Sequence, residues 1–478
     1  MKNYFVTTSI PYVNGEPHIG HAQEFVEADV LARYARKQGL KVIFSTGTDE
    51  HGGKIAEKAA EVSMTPKKWA DQMSLKFKEL MDVLEISADR FIRTTDKNHE
   101  ETAKKVWHRL ADDIYKSSYV GWYCTGDEAF FTETEVNYLN GICPNHNRPF
   151  EKIEEENYFF KLSKYGPAIK QAILSKDFHI LPESKSHEII SLIDEGLEDI
   201  SISRPKDKID WGISVPGDDS QTMYVWFEAL INYISVLGFP DHQDFKDFWP
   251  ANVQVIGKDI IRFHAAIWPA MLLSMGLELP KKLFVHGFIT LNNQKISKSL
   301  GNVISPFEIA QRYGSDAFRY YFLRHIPSYS DGDFTWENFD NAYNNELANE
   351  LGNAVQRTVV LIDKYFTKEK LTFSPAQHDS IEIDKSIAEC RFDRALDLIW
   401  EQVRGLNQYI DESKPWEVAK TGDMDHLKEV LTYQVANLLE IAILLEPFLP
   451  TSSAAIVKIF GDNLENKYRT ILFPKIER

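Results

Sequence analysis

Residues 4–10, YFVTTSI, form a short apolar run that ends at the turn NGEP. HAQEFVEADVLARYARKQG then repeats its apolar positions at helical spacing as far as Gly39, and KVIFSTGTDEHGG runs from apolar into a polar, glycine-containing loop. Buried-strand and amphipathic-helix signals that alternate in this way predict βαβ units and a parallel sheet. Loops at the C-terminal ends of such strands are where open α/β sheets hold ligands. Residues 116–225 lose the alternation: short aromatic pieces (VGWYC, AFFTE, NYFFKL) lie among Cys, Pro and Asn turns, which reads as an insertion with its own small core. The α/β pattern resumes in MYVWFEALINYISVLG, VQVIGKDIIRFHAAIWPAMLLSMG and KKLFVHGFITLNNQKISKS. Beyond about residue 335 the spacing is helical up to the terminal YRTILFP. The pattern therefore predicts an α/β protein. A Rossmann-like parallel sheet (1–115 and 226–335) is split by the insertion (116–225), and an all-helical C-terminal domain (336–478) follows.

The length of 478 residues fits about two to four domains, and 43% apolar residues supply material for real cores. A formal net charge of −17 argues against a general nucleic-acid coating protein, whose footprint is basic, but leaves room for a local basic strip. Three cysteines, Cys124, Cys143 and Cys390, argue for a reducing compartment without a disulfide framework. The apolar stretch VANLLEIAILLEPFLP is interrupted by Glu440 and Glu446 and reads as a core helix rather than a membrane span. With no signal or transit pattern in view, a cytoplasmic location is expected.

Two stretches carry chemistry. In PYVNGEPHIGH, His18 and His21 share a face of the first helical turn, and Gly20 lets backbone approach a ligand. Imidazoles at a helix N-terminus suit a polyphosphate or adenosine. In KISKS, Lys295 and Lys298 put two ammonium groups on a loop after an apolar strand, where they can hold the charge of a departing pyrophosphate.

In this order the two stretches resemble those of class I aminoacyl-tRNA synthetases, and nearly the whole chain resembles the methionyl-tRNA synthetase family. The resemblance implies that ATP, with Mg²⁺ on its phosphates, meets His18, Gly20, His21, Gly257, Asp259, Lys295 and Lys298. It places Ile10, Tyr12, Trp226, Ala229, Leu230, Tyr233, Ile260 and His264 around a methionine side chain, and Asp49 of GTDEHG on its ammonium. Leu230 stands where many relatives have Pro. Tyr, Trp, Ile, Ala and one His also suit an apolar, adaptable cavity with a weak polar contact for sulfur. The family often carries a zinc knuckle in the insertion. Here the corresponding positions are Cys124, Asp127, Cys143 and His146, and the carboxylate departs from the thiolate and imidazole set that structural zinc prefers. A metal-free knuckle is expected, with zinc on those four residues as the alternative. In the helical domain, Asn353 and Arg357 sit one turn apart and Trp416 follows Pro415. The resemblance makes these three the anticodon contacts, and stacking plus base-edge hydrogen bonds is how single-stranded RNA is read.

The activity so implied is ATP-dependent ligation of L-methionine to tRNA bearing a CAU anticodon, by a monomer without the C-terminal dimerisation module that many relatives carry. No editing domain is expected, because the insertion is short. Two rivals remain: another class I synthetase, or a nucleotidyltransferase that shares HxGH. A catalytically dead RNA-binding scaffold is disfavoured, since nothing structural demands the intact histidines and lysines.

Overall fold

The computed structural model describes residues 2–124, 129–131, 133–144, 147–292, 294–295, 304–366, 373–377, 379–461 and 471–476. Six parallel strands form the central sheet in the order Arg90–Arg93, Lys41–Thr48, Asn3–Thr8, Val253–Gly257, Lys282–His286, His179–Leu181. Both faces are covered, which is why the inner strands Asn3–Thr8, Val253–Gly257 and Lys282–His286 carry apolar runs. From adjacent positions of Asn3–Thr8, Val6 enters a core with Val26, Phe318 and Val255, whereas Phe5 joins Ile43, Ile92 and Leu237. The chain order reverses between Asn3–Thr8 and Val253–Gly257, so the crevice beyond their C-terminal ends is the topological switch point.

The helix Ile19–Lys37 starts in that crevice. His18 is its N-cap, and a capping box joins His18 and His21. The middle of this helix is buried, down to Asp29. There Arg319, fully buried on the helix Ser315–Arg324, reaches Asp29 at 2.8 Å and donates to the carbonyls of Phe448, Pro447 and Leu84.

The inserted segment differs from its sequence expectation. Its first half supplies three strands of an antiparallel sheet, Ala129–Phe131, Ile114–Cys124 and Glu151–Phe160, which Ile200–Ser201 completes from later in the chain. Its second half returns to the main body. His179–Leu181 is the outer strand of the parallel sheet, and Ile169, Phe178, Ile180 and Ile189 share a core with Ile256, Leu283 and Val285. A three-residue strand is too short to show any period, so the sequence pattern missed it.

The C-terminal region is helical among the described residues, from Trp336–Asn341 to Pro450–Phe460. In Phe392–Ser413 the buried positions Leu396, Ile399, Val403, Leu406 and Ile410 recur at helical spacing. This face belongs to the same continuous core as the first half of the sheet. No helix of the described residues is long and apolar enough to cross a membrane.

Candidate active site

Local backbone geometry fixes the two motif histidines. Gly20 N–H donates to His18 Nδ1 (3.1 Å), and His18 N–H donates to His21 Nδ1 (3.3 Å). With both Nδ1 atoms accepting, each ring carries its proton on Nε2. The rings stack with centroids 3.8 Å apart. A Cβ at Gly20 would lie 3.1 Å from His18 Cε1, so glycine is what lets this ring fold over the helix start.

On the same half of the sheet, the loop after Lys41–Thr48 is held against the loop after Asn3–Thr8. Asp49 N–H donates to Pro11 O (2.9 Å) and Val13 N–H to Asp49 O (3.1 Å), so Tyr12 and Asp49 face each other as a parallel bridge. Asp49 is 3% exposed and Tyr12 half-buried. The next residue, Glu50, is a buried anchor. Arg93 grips its carboxylate at 2.6 and 2.8 Å, Thr48 and Thr95 donate to it, and its backbone N–H meets Thr94 Oγ1. His51 turns to Glu228 at 2.8 Å.

The aromatic and apolar candidates gather on the second half of the sheet. Leu230 and Tyr233 are buried in one core against which Ile260 packs, and Ala229 is buried beside them. Trp226 stacks on Phe263 at 4.2 Å. His264 lies on the π-helical turn Phe263–Ile267, a geometry that recurs at functional sites. Its Nδ1 is 3.0 Å from Ile260 O and its Nε2 is 2.7 Å from Tyr233 Oη. A carbonyl can only accept, so Nδ1 carries the proton and Tyr233 donates to Nε2. Burial pushes the His264 pKa down to about 4, so the ring is neutral near pH 7. Ile10 packs on a different group, with Phe5, Ile43 and Leu237.

Gly257 ends its strand at the switch point, and a Cβ there would lie 2.8 Å from Asp259 Oδ1, on an exposed carboxylate. Lys295 ends the two-residue strand Gln294–Lys295 of a hairpin with Ile289–Leu291. The Lys295 side chain and all of Lys298, Asp127 and His146 lie outside the described residues. Cys124 and Cys143 are both buried in one small cluster with Val136 and Phe150. Among the described residues no group of three metal-ligating side chains forms.

Far along the chain, Arg357 and Trp416 come together. The guanidinium sits 4.8 Å above the indole centroid while pairing with Asp411 at 2.9 Å. Lys414, in a left-handed conformation, ends Phe392–Ser413, and Pro415 opens the next helix, which turns Trp416 toward Asn353–Tyr365. Asn353 is exposed one turn before Arg357.

Sequence reasoning missed a buried polar core beside Trp226 and Ala229: Glu228, His51, His99 and the Glu50–Arg93 pair. Its one visible signal was a glutamate inside the apolar run WFEALINY, where an unpaired charge would be costly. Glu24 is a second such residue. It accepts from Ser9 N–H and Oγ–H, both 2.6 Å, and meets His286 Nε2 at 3.2 Å. The nearby carboxylates Glu27 and Glu24 overcome the cost of burial and push the His286 pKa up to about 9.

A split parallel sheet with HxGH at its switch point is the arrangement expected of a class I aminoacyl-tRNA synthetase. The profile of the family described as tRNA synthetases class I (M) matches residues 4–152 and 147–359. The chain is 43% identical over 476 residues to the methionine–tRNA ligase of Caldanaerobacter subterraneus subsp. tengcongensis, covering 96% of this chain and 74% of that one. It is 41% identical over 472 residues to the methionine–tRNA ligase of Thermotoga maritima, covering 95% and 75%. It superposes on Mycobacterium tuberculosis methionyl-tRNA synthetase bound by methionyl-adenylate with a TM-score of 0.92 at 36% identity, covering 99% and 100%. Against the apo form of that enzyme the TM-score is 0.85 at 33% identity, covering 100% and 99%. The chain therefore belongs to the methionine–tRNA ligase family.

Proposed function

We propose that this chain activates L-methionine with ATP and transfers the methionyl group to tRNA with a CAU anticodon. The observation that carries the reading is the meeting of the HxGH loop and the Asp49 loop at the switch point, with the neutral Tyr233–His264 pair on the second half of the sheet. Asp49 holds the substrate ammonium. Ile10, Tyr12, Trp226, Ala229, Leu230, Tyr233, Ile260 and His264 enclose the thioether, and a neutral imidazole suits that weakly polar sulfur. The carboxylate oxygen attacks the α-phosphorus and pyrophosphate leaves. His18 and His21 donate from Nε2 to phosphate oxygens, Gly20 and Gly257 let backbone approach the nucleotide, and Asp259 faces the ribose. Lys295 and Lys298 neutralise the departing pyrophosphate. This is catalysis by positioning and electrostatics. Mg²⁺ bound to the triphosphate supplies further charge neutralisation.

The methionyl group then passes to the terminal adenosine of tRNA. Asn353, Arg357 and Trp416 read the anticodon, with the indole offering a stacking face to an unpaired base. The enzyme works as a cytoplasmic monomer. Cys124 and Cys143 are two buried thiols, half of a tetrahedral zinc set, and of the other two family positions Asp127 brings a carboxylate where structural zinc favours thiolate or imidazole. A metal-free knuckle packed by apolar side chains fits this donor set better than zinc. The test is aminoacylation of a CAU transcript beside one whose anticodon is changed at its C. Methionylation of the first, with a clear loss of kcat/KM in the second, is expected. Equal charging of both would remove the anticodon reading.

A further inference from the structure

Behind the pocket lies a charged group that the proposed chemistry does not use. Glu228 is fully buried on the short helix Val225–Ala229, between the pocket residues Trp226 and Ala229. Its Oε1 meets His51 Nδ1 at 2.8 Å and its Oε2 meets His99 Nε2 at 2.7 Å. His99 Nδ1 lies 2.9 Å from Ser235 Oγ. Both oxygens of one carboxylate thus tie three segments together: the loop carrying Asp49, the helix Lys97–Arg109, and the helical segment that lines the pocket. His51 is only two residues from Asp49, and the backbone between them is pinned on other sides. Gly52 N–H donates to Trp211 O (2.9 Å), and Trp211 Nε1–H donates to Glu50 O (2.6 Å).

A buried ion pair is seldom the cheapest way to gain stability, because apolar packing of the same volume often does as well. It does impose direction and distance, which apolar contact does not. We infer that the Glu228 carboxylate, held between His51 and His99, is a positioning residue that fixes the span from the ammonium anchor at Asp49 to the side-chain pocket at Trp226 and Ala229, and so sets selectivity for the length of the amino acid. The inference rests on the proposed reading of Asp49 and the pocket. Burial works against a proton on His51, but Glu228 outweighs it, with smaller contributions from Glu100 and Glu50, and the pKa is raised. The Glu228 pKa is correspondingly lowered: burial opposes its charge, and His51 and His99 more than offset that. The span is therefore held by charge-assisted hydrogen bonds, which are short and directional.

The experiment is methionine-dependent ATP–pyrophosphate exchange on the full chain, with KM for methionine and for ATP measured separately in wild type, His51→Asn, His51→Ala and Glu228→Gln. The amide nitrogen of Asn can stand where His51 Nδ1 stands. His51→Asn should keep KM for methionine within about threefold of wild type. His51→Ala should raise it about tenfold or more with KM for ATP nearly unchanged, a split that general loosening would not give. Glu228→Gln should move in the same direction and also narrow, by about fivefold, the preference for methionine over the homologue one methylene longer. If His51→Ala leaves the methionine KM unmoved, or shifts both KM values together with His51→Asn, the inference is overturned. If Glu228→Gln does not fold, the His51 pair decides alone. If wild type itself shows no exchange with methionine, the functional reading has failed rather than this inference alone.

Discussion

His264 shows how burial and two hydrogen bonds fix the protonation state of one side chain. Its ring donates to Ile260 O, accepts from Tyr233 and stays neutral, because burial penalises the imidazolium. The native pKa of about 4 lies below the ordinary value of 6.5. The neutral ring's contribution to stability is therefore fully present above pH 6.5 and is lost as pH falls from there toward 4. The size of this linkage is about 3 kcal/mol. In chemical denaturation at a series of pH values, wild type should lose stability over that window. His264→Gln, which cannot titrate there, should lose about 3 kcal/mol less between the same limits; parallel curves for the two proteins would contradict the assignment. The residues most readable from sequence were those whose chemistry lies in one contiguous stretch, such as His18 and His21. The Glu228 clamp was not readable in this way. Its partners come from three distant segments, and each alone looks like an ordinary polar residue.

Between elements, the important contacts are made where one secondary structure stops and another starts. Ile19–Lys37 begins at His18 because that residue caps it, so the placing of the motif and the helix start are the same structural event. In the same way, the left-handed turn at Lys414 and the proline after it bring Trp416 under Arg357. The resemblance grouped the two residues, but their packing was not legible, since pattern alone does not fix how Asn353–Tyr365 lies against Pro415–Thr421. The helix-to-helix contact leads to a separable effect. Trp416→Ala should leave pyrophosphate exchange intact but lower kcat/KM for tRNA roughly 10- to 100-fold, the loss of one stacked base at about 1–3 kcal/mol. Measuring both reactions on one preparation checks it, and a matching fall in exchange would mean that Trp416 supports the fold instead. His179–Leu181 was missed for the opposite reason: its place in the sheet comes from pairing with Lys282–His286, not from any pattern of its own.

For the whole molecule, the broad plan of a split sheet and a helical C-terminal region was written in the hydrophobic periodicity. What joins them was not. Arg319 is fully buried, yet it binds Asp29 on the helix that starts at the histidines and the carbonyls of Pro447 and Phe448 in the helical region. Removing a partner from such a buried pair costs about 3–5 kcal/mol. Arg319→Ala should lower the thermal midpoint by several degrees or more, read by scanning calorimetry; an unchanged midpoint would show that the two regions are joined by apolar packing alone. The central claim is that sheet, crevice and pocket together make methionyl-adenylate. It is tested most directly by amino-acid-dependent ATP–pyrophosphate exchange with the purified chain and Mg²⁺, offering methionine, leucine, isoleucine, valine and cysteine in turn. The account predicts strong exchange with methionine and little with the others. Exchange led by another amino acid, or none at all from folded protein, would contradict it.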